Sequence, residues 1–261
     1  MALPADVADA LTRYRERLGI FTDRLQWHAQ VSSTNDLALT AADEGAPEGT
    51  VIAAEGQTAG RGRQGRTWSS PPGAGLYVSA VLRPPDRAAS LVTIAAGVAI
   101  ADGIRAATGL EVALKWPNDV YVGRRKLAGI LAEAGTSRTG AGHVVLGFGI
   151  NVMPAAYPAA VAARATSLEV ELGRAVDRGL VLAACLAALA ERYRQLTREE
   201  RDRVLSAWRT HAAPMLGRPV ECMIGSRAVV GTAEGIDDQG ALLVRHERKV
   251  IRVISGEVVW Q

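Results

Sequence analysis

From Val112 to Val152 the chain is a succession of short β-favouring runs divided by turn chemistry, and nothing else in the sequence limits the fold as tightly. The runs are VALKW, VYV, KLAGILAEA and HVVLGFGINV, divided by Pro117-Asn118-Asp119, by Gly123-Arg124-Arg125 and by a glycine-rich loop. Strands this close in sequence are joined by tight turns, so the region predicts a meander of neighbouring strands. Earlier runs at Leu25–Val31, Thr50–Ala54 and Leu76–Leu82 also read as strands.

Helical periodicity surrounds them. Residues 5 to 18 read as an amphipathic helix, and Leu37 to Asp43 as a second, opened by the N-capping side chains of Ser32-Ser33-Thr34-Asn35-Asp36. Between Ala88 and Ala107, Leu91, Ile94, Ala95, Val98, Ala101 and Ile104 fall on one helical face. The prediction is an α/β domain followed by a small all-β one. Two further helices, Leu180–Leu196 and Glu199–Ala212, precede Pro214, Gly217 and Pro219, which place a boundary near residue 215. Domains of 1–215 and 216–261 follow. The second alternates in short runs with turns at Gly225-Ser226, Asp237–Gly240 and Ser255-Gly256, which suits a small β-barrel of SH3-like size. The alanine-rich stretch 155–165 reads as a surface connection.

Composition excludes several classes. With 261 residues, 48% of them hydrophobic, there is material for a real core. Net charge is only +3 although the pI is about 9.1, so whole-surface attraction to nucleic acid is weak. Cys185 and Cys222 lie in apolar patterns without a CxxC spacing, which argues for buried thiols in a reducing cytosol and against a disulfide or zinc site. No secretion signal opens the chain, and the apolar run Leu180–Ala190 is too short to span a bilayer, so a cytoplasmic protein without a membrane partner is expected. Only Lys115, Lys126 and Lys249 appear against 30 basic residues in total, and two of the three sit in one short block.

Two segments carry chemistry. Gly60-Arg61-Gly62-Arg63-Gln64-Gly65-Arg66 interleaves backbone freedom with guanidinium forks that can converge on phosphate or carboxylate oxygens. On composition alone it serves equally as a flexible tether or an RGG-like nucleic-acid patch. Lys115-Trp116-Pro117-Asn118-Asp119 is followed by Lys126-Leu127-Ala128-Gly129-Ile130-Leu131, where a lysine among apolar neighbours is costly unless its charge meets an anion. The plainer reading is a turn with Lys126 in solvent. Gly147-Phe148-Gly149-Ile150-Asn151 does not complete GxGxxG, which removes a Rossmann NAD site; no histidine pair has metal spacing, and GxSxG and the Walker A lysine are missing.

In order and spacing, Ser33-Thr34-Asn35, Glu55-Gly56-Gln57-Thr58 with GRGRQGRTW, KWPNDV, KLAGIL with Glu133, and GFGIN resemble the biotin–protein ligase family. The segment GIDDQGALLV at 235–244 resembles the family's C-terminal domain. The resemblance implies a mixed sheet related to class II aminoacyl-tRNA synthetases, with nucleotide held by loops and strands. It implies that Ser33, Thr34, Asn35 and Gln57 meet the biotin rings. Arg61, Gly62 and Arg63 would lie along the biotin tail and α-phosphate, and Arg66 and Trp68 on the nucleotide side. Lys126 would bind the biotin carboxylate, Asn118 and Asp119 the phosphate and Mg²⁺ region, and Asn151 the nucleotide. Arg63, Lys126 and Asp119 are then the catalytic candidates, with ATP and Mg²⁺ required and neither zinc nor NAD.

The chemistry implied is activation of biotin as biotinyl-5′-AMP and transfer to a lysine of the biotin carboxyl carrier domain of an acyl-CoA carboxylase. Only some 25 residues precede the first matched strand, which argues against the DNA-binding domain that some members carry. A sheet edge could pair two subunits into a homodimer or dock the carrier. The nearest rival is a lipoate or octanoate ligase of related fold; a more distant one is a non-catalytic nucleic-acid-binding protein, whose affinity would fall steeply with salt.

Overall fold

The structure is a computed structural model that describes residues 2–138, 140–155, 157, 159–224, 227–256 and 258–260. In chain order the elements are α1 (Ala5–Tyr14), β1 (Leu25–His28), α2 (Thr34–Asp43), β2 (Val51–Ala54), β3 (Gly75–Leu82), α3 (Asp86–Ala89) and α4 (Val92–Thr108). Then come β4 (Ala113–Lys115), β5 (Asp119–Val122), β6 (Arg125–Thr136), β7 (Gly142–Asn151), α5 (Ala159–Ala162), α6 (Leu168–Leu172), α7 (Arg178–Thr197) and α8 (Arg201–Ala212). Five strands follow: β8 (Pro219–Ile224), β9 (Arg227–Ile236), β10 (Leu242–His246), β11 (Lys249–Val253) and β12 (Val258–Trp260).

The first seven strands form one mixed sheet, ordered β1-β2-β3-β7-β6-β5-β4, in which β1 and β2 are parallel and every other pair is antiparallel. The predicted meander is its β4–β7 half. β3 sits third from one edge and is buried along its whole length, so it is not the half-exposed alternating strand its sequence suggests. The helix expected over residues 5 to 18 stops at Tyr14 and continues as two 3₁₀ turns, and the one expected from Ala88 is broken at Ser90-Leu91 into α3 and α4. Gly109, at φ 78°, closes α4 in the left-handed conformation that glycine adopts without strain.

The two faces of the sheet are filled differently. One carries the main core, where α4 and α7 pack so closely that a Cβ at Gly103 would lie 2.6 Å from the Cα of Cys185. Each fully buried Leu, Ile or Val there contributes about 1.5–3 kcal/mol. On the other face α2 covers only a small cluster of Ala38, Ala42, Ile52, Val81 and Val145. Beyond that cluster lie Ser79 of β3, Gly147 and Gly149 of β7 and Gly129 of β6, which the register places side by side on the sheet. Residues this small leave room for something other than a side chain.

The last five strands make an antiparallel sheet ordered β11-β10-β9-β8-β12. It docks on the first part of the chain through the Trp116 indole, whose Nε1 donates to the carbonyl of Gly240 at 2.9 Å, and through Gly240 itself, packed on Leu91 and Ile94. The turn expected at Asp237–Gly240 is organised by the Asp237 carboxylate, which accepts from the backbone N–H of Gln239 and of Ala241. The one expected at Gly225-Ser226 falls outside the described residues. Both cysteines are buried free thiols, and burial pushes both pKa values up, which makes them poor nucleophiles. Among the described residues no helix is long and apolar enough to cross a membrane.

Candidate active site

A cavity of about 810 Å³ opens over the glycine floor, near the upper end of the range for small-molecule sites. It gathers every site residue singled out in the sequence: Ser33, Thr34, Asn35, Gln57, Arg61, Gly62, Arg63, Arg66, Trp68, Asn118, Asp119, Lys126 and Asn151 all line it.

One end is a fabric of neutral polar groups. The Ser33 hydroxyl caps α2, accepting from the N–H of Asp36, and so places Thr34 and Asn35 in the first helical turn, both buried. The Thr34 N–H donates to Gln57 Oε1 at 2.8 Å, the Gln57 amide donates to Ser70 Oγ at 2.8 Å, and the Ser79 hydroxyl donates to Asn35 Oδ1 at 2.6 Å. Gly147 is glycine because of this fabric: a Cβ there would collide with Asn35 Oδ1 and come within 2.9 Å of its Cγ.

The arginine-rich loop is a folded hairpin. Gly62 N–H bonds Arg66 O at 2.7 Å, Trp68 N–H bonds Gly60 O at 2.9 Å, and Gln64 turns the chain at φ 55°. Gly60 cannot carry a side chain, since its Cβ would meet Ser70 Oγ at 2.6 Å. Arg61 reaches Asp36 at 2.5 Å and Glu133 at 2.6 Å, and the Asp36 hydrogen bond is the main reason its pKa is raised. Arg63 is half-buried; burial draws its pKa down, Asp119 opposes this and Arg66 adds to it, while its Nη1 lies 3.4 Å from Asn118 Oδ1.

At the other end Trp68 lies on the floor. A Cβ at Gly149 would come within 2.6 Å of its Cε2, and one at Gly129 within 3.0 Å of its Cζ3. Lys126 Nζ sits 5.3 Å from the centre of that indole and 2.6 Å from Asp119 Oδ1, so its ammonium meets both a π face and a carboxylate. Asn118 is tied to β6, donating to Ile130 O at 2.6 Å and accepting from Ile130 N–H through its own carbonyl at 2.9 Å. Lys115 lies 5.0 Å over the Tyr121 ring, whose pKa burial pushes up to about 12.

Of the alanine-rich stretch expected at the surface, residues 161–164 are exposed as expected, and Tyr157, Val161, Ala163, Arg164 and Ala165 also line the cavity. Lys126 N–H donates to Arg164 O at 2.7 Å, Thr166 N–H to Lys126 O at 3.0 Å, and the Asn151 side chain to Thr166 O at 2.9 Å. The buried Nε1 of Trp68, the hydroxyl of Tyr157 and the Nε1 of Trp260 line the same space without a hydrogen-bond partner among the described residues. Tyr157 and Trp260, remote in sequence, carry no motif that could have announced them. Ser79 was readable only as a polar break in an apolar strand.

No group of three or more His, Cys, Asp or Glu able to hold a metal occurs among the described residues. Asp119 is a single carboxylate, which suits the mode in which Mg²⁺ takes one or two protein carboxylates and most of its ligands from substrate phosphates and water.

Two family models match: that of the Biotin/lipoate A/B protein ligase family over residues 27–151, and that of the Biotin protein ligase C terminal domain over residues 215–260. The chain is 38% identical over 239 residues to a biotin–[acetyl-CoA-carboxylase] ligase of Mycobacterium tuberculosis, covering 88% of this chain and 86% of that protein. It is 32% identical over 259 residues to the bifunctional ligase/repressor BirA of Bacillus subtilis, covering 98% and 79%. Its fold matches the biotin protein ligase of Aquifex aeolicus in complex with biotin and ATP, with a TM-score of 0.76 at 28% identity over 92% of this chain and 99% of that one.

Proposed function

The chain belongs to the biotin protein ligase family, and from that premise we propose that it activates biotin with ATP and transfers the biotinyl group to a lysine of a biotin carboxyl carrier protein of acetyl-CoA carboxylase. The observation that carries this reading is the division of a single cavity into a neutral hydrogen-bonding end, Thr34, Asn35, Gln57 and Ser33, and a cationic end, Arg63, Arg66 and Lys126. A ureido ring is neutral and rich in donors and acceptors, whereas a carboxylate attacking a triphosphate needs positive charge.

A biotin carboxylate oxygen attacks the α-phosphorus of ATP. A P–O bond forms, the bond to the bridging oxygen breaks, and pyrophosphate leaves with that electron pair. Lys126 orients the carboxylate, and Arg63 stabilises charge on the α-phosphoryl oxygens. The carrier amine then attacks the carbonyl carbon of biotinyl-5′-AMP, AMP leaves, and the ammonium proton passes to a base, for which Asp119 is the nearest carboxylate to Lys126. Arg61 and Gly62 hold the hairpin along the biotin tail, Trp68, Asn118 and Asn151 shape the nucleotide side, and hairpin closure keeps water from the anhydride. Mg²⁺, held through Asp119 and the phosphates, would neutralise phosphate charge.

The proposal includes a division of labour between residues 1–215 and 216–261, a cytoplasmic setting that supplies ATP and carrier, and a homodimer through an edge of a sheet, of which the large one has two, β1 and β4. The family whose model matches residues 27–151 also embraces lipoate ligases, so substrate choice is the point to test. Pyrophosphate exchange into ATP should require biotin. Exchange with lipoate or octanoate instead would move the chain to the sister activity, and none with any acid would refute activation.

A further inference from the structure

Glu133 stands on β6 opposite Val145, at the border between the neutral end of the cavity and the hairpin. Its side chain is largely buried and its two oxygens are divided: Oε2 accepts from the Asn35 amide at 2.8 Å, and Oε1 accepts from Arg61 Nη2 at 2.6 Å. Arg61 and Asn35 belong to different segments, the hairpin and α2, and this carboxylate bonds to both.

Donor and acceptor counting gives the arrangement a direction. Asn35 Oδ1 receives the Ser79 proton, and Asn35 Nδ2 faces Glu133. If the amide were flipped, Oδ1 would confront a carboxylate that has no proton to give. Glu133 therefore fixes which end of Asn35 points to the floor and which hydrogen of Nδ2 remains for a ligand. Because Oε1 carries the Arg61 guanidinium, the same group senses whether the hairpin is in place.

We propose that Glu133 is a positioning residue that couples closure of the arginine hairpin to the orientation of the Asn35 amide, so that the site recognises biotin fully only when Arg61 is docked. This rests on the biotin reading given above. A ligand entering before the hairpin docks meets an Asn35 held by Ser79 and by a Glu133 carboxylate whose other oxygen lacks the Arg61 guanidinium. When Arg61 docks, its positive charge holds the carboxylate in place, and the amide is locked from both sides.

The test is the biotin KM in pyrophosphate exchange across a set of variants. Glu133→Gln keeps the shape but offers one acceptor oxygen where two donors need one each, so either Asn35 or Arg61 must let go. The KM for biotin should rise about 10- to 100-fold, the range for losing a hydrogen bond to a charged group, with the KM for ATP changed less than threefold. Arg61→Gln and Asn35→Ala should be non-additive in biotin KM when Glu133 is present and additive when combined with Glu133→Gln, a difference that a general packing role would not produce. If Glu133→Gln does not fold, Glu133→Asp, which retains charge but falls short of both partners, should raise KM in the same way. A wild-type biotin KM in the folded variant, or non-additivity that persists after Glu133→Gln, overturns the coupling. Absence of biotin-dependent exchange in the wild-type protein overturns the biotin reading itself, and binding of another acid would then be measured in the same variants.

Discussion

The substitution Gly147→Ala asks the most of the site's geometry with one methyl group. A Cβ at this position would overlap Asn35 Oδ1 and lie 2.9 Å from its Cγ, whereas carbon atoms rest about 3.5–4.0 Å apart, so the amide must retreat by about 1 Å. It cannot do so within its hydrogen bonds, which hold Oδ1 to Ser79 at 2.6 Å and Nδ2 to Glu133 at 2.8 Å. Losing the neutral bond costs about 0.5–1.5 kcal/mol and the charge-assisted one about 1.5–3 kcal/mol, together roughly 2–4.5 kcal/mol. Asn35 is buried and lines the cavity, so the displaced amide burdens the fold as well as ligand binding. The expected outcome is a rise of about 30- to 2000-fold in biotin KM for pyrophosphate exchange, with a melting temperature lowered by about 4–15 °C. A variant with biotin KM within twofold of wild type would show that the Asn35 amide is not part of the biotin site.

Three other substitutions probe separate parts of the molecule. Arg63→Gly removes a half-buried guanidinium whose nearest neutral contact, Asn118, is 3.4 Å away, and should release more free biotinyl-5′-AMP; unchanged labelling of bystander protein amines would refute the assignment of Arg63 to adenylate retention. Asp102 is partly buried, which disfavours its charge, but hydrogen bonds from His211 and Arg192 outweigh burial and hold its pKa below the usual carboxylate value. A lowered carboxylate contributes its full stability above the unfolded value of about 3.9 and loses it as pH falls through the folded value. Asp102→Asn should therefore cost about 3 kcal/mol at pH 7 in urea unfolding, and the gap from wild type should shrink below about pH 4; a gap independent of pH would contradict the argument. Trp116→Phe deletes the donor to Gly240 O and should destabilise by about 1–3 kcal/mol, and an unaltered melting curve would mean that this contact does not join the two sheets.

What the sequence disclosed follows from how local each signal is. The β4–β7 meander was legible because its turns are set by neighbours in sequence, as was the capping of α2 by Ser33. That β3 is buried on both faces could not be read locally, because its burial is decided by α2 and α7, which lie well before and well after it in the chain. At the site, the motifs named residues that the fold does bring together, yet the reason for their glycines was hidden. Gly147 and Gly149 read as a damaged dinucleotide fingerprint until the register placed them beside Ser79, Tyr77 and Gly129, where Asn35 and Trp68 need the space. The surface position of residues 161–164 was legible, but the lining role of residues 163 to 165 was not, because backbone hydrogen bonds to Lys126 hold this segment there and an alanine-rich sequence gives no sign of them.

The cations of the cavity differ in how firmly the chain already holds them, and this orders the proposed reaction. Lys126 is paired with Asp119 at 2.6 Å and Arg61 with two carboxylates, whereas Arg63 has Asn118 at 3.4 Å and the more distant attraction of Asp119. The Lys126–Asp119 pair is only partly buried, so in the proposed reaction biotin's carboxylate would compete with Asp119 for the Lys126 ammonium. Arg63, in contact with a neutral amide instead of a carboxylate, needs no such exchange before it meets a phosphate. In the proposed second step Asp119, 2.6 Å from Lys126, would be a carboxylate at hand to take the proton lost when the carrier amine attacks.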